Sequence, residues 1–163
     1  MIDQLLRIKT FREKKAETEM LKNKLLLAQA KTAETEAEHV LADYVDFSNR
    51  EEIRWYQDLC SRVVRLREIT QVQEGVAGLK ARELEYQQAL AQAHKAHLDA
   101  VDVFNTSYDL YRGASIAREK FDQLLQIEML RESKEAERKE ELELEELAGQ
   151  LSDRADFEEH FGA

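Results

Sequence analysis

Apolar residues recur at alternating spacings of three and four along most of the chain. The longer series has seventeen positions from Val72 to Glu128, and twelve of them are apolar. A repeat averaging 3.5 residues is the seam of a coiled coil, so this series predicts one very long helix. Its positions are Val72, Val76, Leu79, Glu83, Tyr86, Leu90, Ala93, His97, Ala100, Phe104, Ser107, Tyr111, Ala114, Arg118, Phe121, Leu125 and Glu128.

A shorter series with the same spacing precedes it and predicts a first helix. All seven of its positions are apolar, and three of them are alanine, which allows a facing helix to approach closely. The two series predict an all-α fold, a long antiparallel two-helix coiled-coil hairpin. The positions of the shorter series are Leu26, Ala30, Ala33, Ala37, Val40, Tyr44 and Phe47.

The reversal between the helices is predicted near residues 60–67, where Val63-Val64 interrupts good helix formers. Helix 1 then covers about residues 2–60 and helix 2 about residues 67–148. Gly75 and Gly78 are the alternative reversal, since glycine commonly ends helices, although the second seam stays in phase across them. With the earlier reversal, positions whose numbers sum to roughly 127 face each other, which places Ala30 near His97.

Helix 2 is therefore predicted to extend past helix 1, as an overhang of about residues 126–148. Residues 1–150 would form one helical hairpin domain, with Gly149 ending the helix. Residues 151–163 are expected to form an acidic, mobile tail. Some apolar residues fall outside one seam, and they predict either contacts with other chains or cover by a third short helix or self-association. These residues are Ile53, Trp55, Val101, Tyr108 and Leu124.

Composition supports long exposed helices and argues against a compact mixed domain. The 163 residues include no proline and only five glycines, while 36% are charged. Turns draw heavily on proline and glycine, so a chain with so few of them has few turns.

Charge is negative overall and unevenly distributed. The formal net charge is −10, which disfavours nonspecific binding to nucleic acid. Residues 1–31 hold eight Lys/Arg against four Asp/Glu, whereas residues 120–163 hold six against fourteen. This asymmetry predicts different partners or solvation for the two ends.

The localisation predicted from the sequence is the cytosol. Cys60 is the single cysteine, which excludes an internal disulfide. Charged and polar residues interrupt the first eleven positions, so no secretory signal is visible there. No apolar run approaches the ~20 residues that span a bilayer, and stable membrane insertion is not expected.

No motif for catalysis, a cofactor or a metal is found. The chain has no glycine-rich phosphate loop, no Gly-x-Ser-x-Gly and no His-Glu-x-x-His sequence. His94 and His97 share a helical face, but zinc needs further converging ligands, so His97 is interpreted as a polar residue that sets register. We therefore predict that the chain is not an enzyme and holds no cofactor.

The first eleven residues are amphipathic and leave two interpretations open. Apolar residues including Ile2, Leu5 and Phe11 alternate with the cations Arg7 and Lys9. Such a segment could lie on an anionic membrane. It could also pack on the C-terminal half of helix 2 while its cations meet a partner, which needs fewer assumptions.

Several patches of sequence resemble the central stalk proteins of type III secretion, the YscO family, and more distantly the flagellar FliJ proteins. The likeness spans most of the chain, in order and at a similar length. Its patches are Met1-Ile2-x-x-Leu5-x-Arg7-Ile8-Lys9-x-Phe11-Arg12, Ala16-Glu17, Tyr44, Glu51-Glu52, Trp55-Tyr56, Leu79-Lys80-Ala81-Arg82-Glu83, Ala117-Arg118-Glu119-Lys120-Phe121 and the acidic C-terminal helix.

The resemblance implies a non-enzymatic stalk of a bacterial secretion apparatus, at the cytoplasmic face of the inner membrane. The end with both termini would enter the hexameric secretion ATPase, and the hairpin end would point toward the cytoplasmic ring of the export gate. Family members are also thought to handle secretion chaperones.

Two sets of partner-binding residues are carried over from the resemblance. The gate side would use Val72, Val76 and Leu79, although these valines are smaller than the family's usual bulky pair and also fit as seam residues. The ATPase side would use Arg7, Lys9 and Arg12. The rival hypotheses are a generic coiled-coil scaffold or chaperone-type hairpin, and a membrane-surface amphipathic protein.

Overall fold

A computed structural model describes residues 1–161 and contains two helices. Helix α1 spans Ile2–Cys60 and helix α2 spans Leu66–Phe161. The predicted all-α, two-helix fold is confirmed. Asp3 in the first turn of α1 and Glu68 in the first turn of α2 place a negative charge at the positive end of each helix dipole.

The chain reverses between the helices without using a glycine. The Ser61 backbone N–H donates to the Gln57 carbonyl at 3.1 Å, and the Ser61 hydroxyl donates to the Asp58 carbonyl at 2.8 Å, which closes α1. No residue in the described range 1–161 has a left-handed backbone, so the reversal has no need of glycine's conformational freedom. Gly75 and Gly78 are accordingly interior residues of α2.

The fold divides into two compact units, each of which contains parts of both helices. The hairpin unit is Lys15–Tyr111, and the terminal unit is Met1–Lys14 together with the described residues from Arg112 onward. In the hairpin unit the two helices run antiparallel from the reversal. In the terminal unit the start of α1 packs along α2, and residues 129–160 are all exposed.

The seam of α2 follows the predicted heptads closely. All seventeen positions from Val72 to Glu128 are buried or half-buried. Val76 is only 7% exposed, and Ser107 is 5% exposed. Since a two-helix interface is narrow, most other seam residues keep some contact with solvent.

The seam of α1 differs from the prediction by one residue at every second position. Ala30, Ala37 and Tyr44 lie in the seam as predicted, and the other four predicted positions are exposed. Glu34 and Ser48 occupy true seam positions, but being polar they were passed over in favour of apolar neighbours. The observed positions are Leu27, Glu34, Leu41 and Ser48 in place of Leu26, Ala33, Val40 and Phe47.

The pairing register also differs slightly from the expected one. Tyr44 packs on Tyr86 with ring centroids 4.9 Å apart, and the Trp55 ring lies on Gly75. His97 meets Glu34, one helical turn beyond the expected Ala30. Trp55, taken from the sequence as an apolar residue outside the seam, is therefore an interior contact.

Helix α2 continues well past its expected end at residue 148. It passes through Gly149 and includes residues 151–161, which were expected to be a mobile tail. A single glycine lowers helix stability by only ~1 kcal/mol, and the neighbouring leucines, glutamates and glutamines are good helix formers. The remaining tail residues, 162–163, lie outside the described residues.

Candidate interaction surfaces

Two grooves lie beside Gly75 on the hairpin unit, and two of the three predicted gate-side residues line them. Val72 lines the groove nearer the reversal, and Leu79 lines the one further along α2. Val76, between them, is buried in the seam and offers no surface to a partner. The predicted patch is therefore not continuous in this structure.

The groove at Leu79 has aromatic walls and an open floor. Tyr44 packs on Tyr86, and its hydroxyl donates to the Leu79 carbonyl at 3.1 Å, which fixes the ring between the helices. Gly78 leaves open space, because a Cβ there would meet nothing within 4 Å. The groove encloses about 480 Å³ and is lined by Tyr44, Phe47, Gly75, Gly78, Leu79, Arg82 and Tyr86.

One cation stands at the edge of this aromatic groove. The Arg82 guanidinium lies beside Tyr86, and the interaction with the Tyr86 hydroxyl raises the pKa of Arg82 above its ordinary value. Phe47 is 46% exposed on the other wall. An exposed aromatic edge beside a fixed positive charge is suited to hold an apolar or aromatic side chain of a partner.

The groove nearer the reversal encloses about 380 Å³ and is more polar. It is floored by the Trp55 indole against Gly75, where a Cβ would approach Cζ3 of Trp55 to 3.0 Å. Charged side chains from both helices rim it, so it differs in character from the aromatic groove. Its lining residues are Trp55, Asp58, Leu59, Arg62, Glu68, Gln71, Val72 and Gly75.

A polar cluster crosses the middle of the hairpin unit. The Nδ1 atoms of His94 and His97 donate to separate oxygens of the Glu34 carboxylate at 2.8 and 2.5 Å. The hydrogen bond from His94 is the main cause that lowers the pKa of Glu34, burial opposes it, and the bond from His97 adds to the lowering. The cluster joins α1 to α2 at a defined register.

These three side chains do not form a metal site. Each imidazole uses a different carboxylate oxygen, so the donors do not converge on one point. Among residues 1–161, no group of three or more His, Cys, Asp or Glu side chains could hold a metal ion. His97 occupies a seam position, as expected for a polar residue that sets register.

The predicted ATPase-side cations lie in the terminal unit. Arg7 and Arg12 are exposed, and neither has an ion pair among the described residues. The Lys9 ammonium lies 5.3 Å from the centroid of the Phe121 ring. This cation–π contact joins α1 to α2. The structure thus leaves Arg7 and Arg12 free and gives Lys9 a contact within the fold.

An ion pair also secures the start of α1 in the same unit. The Arg118 Nε donates to Glu13 at 2.5 Å, and this bond raises the pKa of Arg118 above its ordinary value. Arg118 is a predicted seam position that is not apolar, so its pairing explains how the seam tolerates it. The basic start of α1 is therefore held in place by Lys9 and Arg118.

The overhang of α2 carries exposed leucines on an acidic helix. Residues 131–159 include twelve carboxylates, and Leu144, Leu147 and Leu151 follow spacings of three and four. These leucines are between 55% and 65% exposed. Within residues 1–161, neither helix contains a stretch long and apolar enough to cross a bilayer.

The geometry defines the class of the molecule as an all-α, two-helix coiled-coil protein with grooves beside its reversal and an exposed acidic stretch at the end of α2. The sequence profile of type III secretion protein YscO matches residues 2–150. The chain therefore belongs to the YscO family and is a type III secretion protein.

A solved structure agrees with this assignment. The chain is similar to the 2.8 Å crystal structure of type III secretion protein YscO from Vibrio parahaemolyticus, with 29% sequence identity and a TM-score of 0.77. The match covers 90% of this chain and 92% of that chain. A search of curated proteins gives no match.

Sequence reasoning missed the features that shape these surfaces. Glu34 was passed over because a heptad through Ala30 and Ala37 accepts either Ala33 or Glu34 between them, and the apolar residue was preferred. The pairing of Trp55 with Gly75 required the correct register. A signal for it existed, since a glycine has no side chain and so leaves space that a large ring on the facing helix can fill.

Proposed function

We propose that this chain is a non-enzymatic central stalk that couples a hexameric secretion ATPase to the cytoplasmic ring of the export gate. The observation that supports it best is membership of the YscO family over residues 2–150. It would act in the bacterial cytoplasm, at the cytoplasmic face of the inner-membrane secretion apparatus. The ATPase would hydrolyse ATP, and this chain would contribute surfaces only.

The terminal unit supports the ATPase contact. It offers two free cations, Arg7 and Arg12, in the same unit as the exposed stretch of α2 at residues 129–160. The exposed leucines at 144, 147 and 151 form an apolar stripe that a partner can cover. A hexameric ring with a central opening would receive both features together.

The hairpin unit supports the gate contact. We assign this contact to the two grooves beside Gly75, with Val72 in one and Leu79 in the other. Val76 would act indirectly, because its burial holds the two grooves in position. Secretion chaperones are a further class of partner, and the aromatic groove has the apolar character that a chaperone helix would need.

The ATPase contact can be tested with matched charge reversals. The variant R7E/K9E/R12E should bind the purified secretion ATPase at least tenfold more weakly than the wild type in calorimetry. The control K22E/K24E/K31E changes the charge equally at exposed positions of the hairpin unit and should bind normally. Circular dichroism would show that both variants stay helical.

Three outcomes would count against the proposal. If the wild-type chain does not bind the ATPase or the gate ring, the stalk function is wrong and a generic coiled-coil scaffold becomes the better hypothesis. If the chain instead floats with anionic vesicles, and R7E/K9E/R12E abolishes that binding, the membrane-surface hypothesis replaces it. Equal weakening by the test and control variants would show that only net charge matters.

A further inference from the structure

The tip of the hairpin unit, Ser61–Arg67, exposes two large aliphatic side chains. Val63 is 100% exposed and Leu66 is 79% exposed, whereas Val64 between them is half-buried. Exposed leucine or valine alone is ordinary on a protein surface. Here the two side chains lie at a chain reversal, where they project from the end of the helix pair.

The charge of the tip is opposite to that of the whole chain. Between Leu59 and Arg67 the sequence has three arginines and no acidic residue, although the chain carries a net charge of −10. Arg65 and Arg67 are exposed and make no ion pair in the part of the chain that the structure describes. Two free cations therefore flank the aliphatic side chains.

The third arginine holds the backbone of the tip in place. Arg62 donates to Glu68 at 3.2 Å and to Asp58 at 3.4 Å, so it bridges the last turn of α1 and the first turn of α2. The Ser61 hydrogen bonds add a second restraint at the end of α1. A surface ordered before binding loses less conformational freedom in a complex.

The tip also adjoins the groove nearer the reversal, which has charged side chains at its rim. Arg62 and Glu68 line the groove that contains Trp55 and Val72, so the exposed side chains of the tip and this groove form adjoining surfaces. A partner seated on the tip would extend onto the groove wall. Charge and apolar character therefore lie together at one end of the hairpin unit.

We propose that Val63 and Leu66 insert into an apolar pocket of a partner protein whose rim carries carboxylates that pair with Arg65 and Arg67. This assignment rests on the proposed function, in which the partner at this end is the cytoplasmic ring of the export gate. An anionic membrane is the less suitable occupant, because polybasic segments that bind lipid use four to eight cations and the tip has two free ones.

The test uses the full-length chain and the purified cytoplasmic domain of the export-gate ring. The variants R65E/R67E and V63S/L66S should each bind the ring at least tenfold more weakly in calorimetry. Binding of the wild type should also weaken as salt rises, and R65E/R67E should lose most of that salt dependence. The matched controls are R131E/R138E and L25S/L84S, which change exposed arginines and exposed aliphatic residues elsewhere.

The outcomes separate the tip from the stalk function. Wild-type affinity of both tip variants would overturn the tip assignment and leave the stalk function intact. Failure of the wild type itself to bind the ring would overturn the gate contact and the tip assignment together. Binding to phosphatidylethanolamine–phosphatidylglycerol vesicles that depends on Arg65 and Arg67 would replace the protein partner with a membrane.

Discussion

The Trp55 indole lies so close to Gly75 that a Cβ atom added at Gly75 would stand 3.0 Å from Cζ3 of the ring. This contact brings the two helices together next to both grooves of the hairpin unit. Gly78, three residues further along α2, has no such neighbour, since a Cβ there would meet nothing within 4 Å. The two glycines therefore have different roles although both are interior helical residues.

The difference predicts opposite consequences for two alanine substitutions. Alanine is more favourable than glycine inside a helix by about 0.8–1.0 kcal/mol, so Gly78→Ala should raise the free energy of unfolding by up to that amount. Gly75→Ala gains the same helix propensity but must displace the Trp55 ring, so it should be less stable than Gly78→Ala. Urea denaturation followed by circular dichroism measures both.

The Trp55→Leu background provides the control for this pair. With the ring removed, Gly75→Ala and Gly78→Ala should become similar in their effect on the free energy of unfolding. If Gly75→Ala stabilises the wild-type chain as much as Gly78→Ala does, the close contact with Trp55 is not a constraint in solution.

Burial of Val76 predicts that this residue supports the fold. The Val76 side chain is removed from water in the seam. Val76→Ala should therefore lower the free energy of unfolding by about 1 to about 2 kcal/mol, as expected when buried methyl groups are deleted. Leu84→Ala is the control. Because Leu84 is 54% exposed, this substitution should change the free energy of unfolding by less than about 0.5 kcal/mol. Equal effects of the two substitutions would contradict the observed seam.

The cluster around Glu34 predicts a pH-dependent contribution to stability. The His94 and His97 hydrogen bonds lower the pKa of Glu34 in the folded chain. A carboxylate with a lowered pKa stabilises the fold above its unfolded pKa, and this stabilisation is lost as pH falls through the folded pKa. The melting temperature of the wild type should therefore exceed that of Glu34→Gln at pH 6, and the gap should narrow below about pH 4.5.

A neighbouring glutamate on the same helix controls for general charge effects. Glu38 is exposed, so Glu38→Gln should leave the dependence of melting temperature on pH close to that of the wild type. A gap between wild type and Glu34→Gln that stays constant from pH 6 to pH 3 would show that titration of Glu34 is not the cause.

The heptad pattern made the α2 seam predictable, because a run from Val72 to Glu128 samples the repeat many times and tolerates several polar members. The α1 seam was harder to predict, because a heptad through Ala30 and Ala37 accepts either Ala33 or Glu34, and preferring the apolar residue selected Ala33. Polar seam residues are stabilised by partners on the other helix, and the sequence does not reveal those partners. The exposure of Val63 and Leu66 likewise depends on the conformation of the reversal, and the spacing of apolar residues does not predict that conformation.

Removing the overhang of α2 should lower the helical content of the chain without lowering its melting temperature much. Residues 129–160 are all exposed, and the predicted α2 seam ends at Glu128, so a chain ending at Leu130 keeps every position of that seam. It should lose about a fifth of its helical circular dichroism signal, while its melting temperature changes by less than about 3 °C.

A chain ending at Tyr111 is the contrasting control, because this truncation also removes the α2 residues that pack on the start of α1. Amide exchange in residues 1–14 should then rise sharply. A large fall in melting temperature for the chain ending at Leu130 would mean that the overhang packs on the rest of the protein in solution.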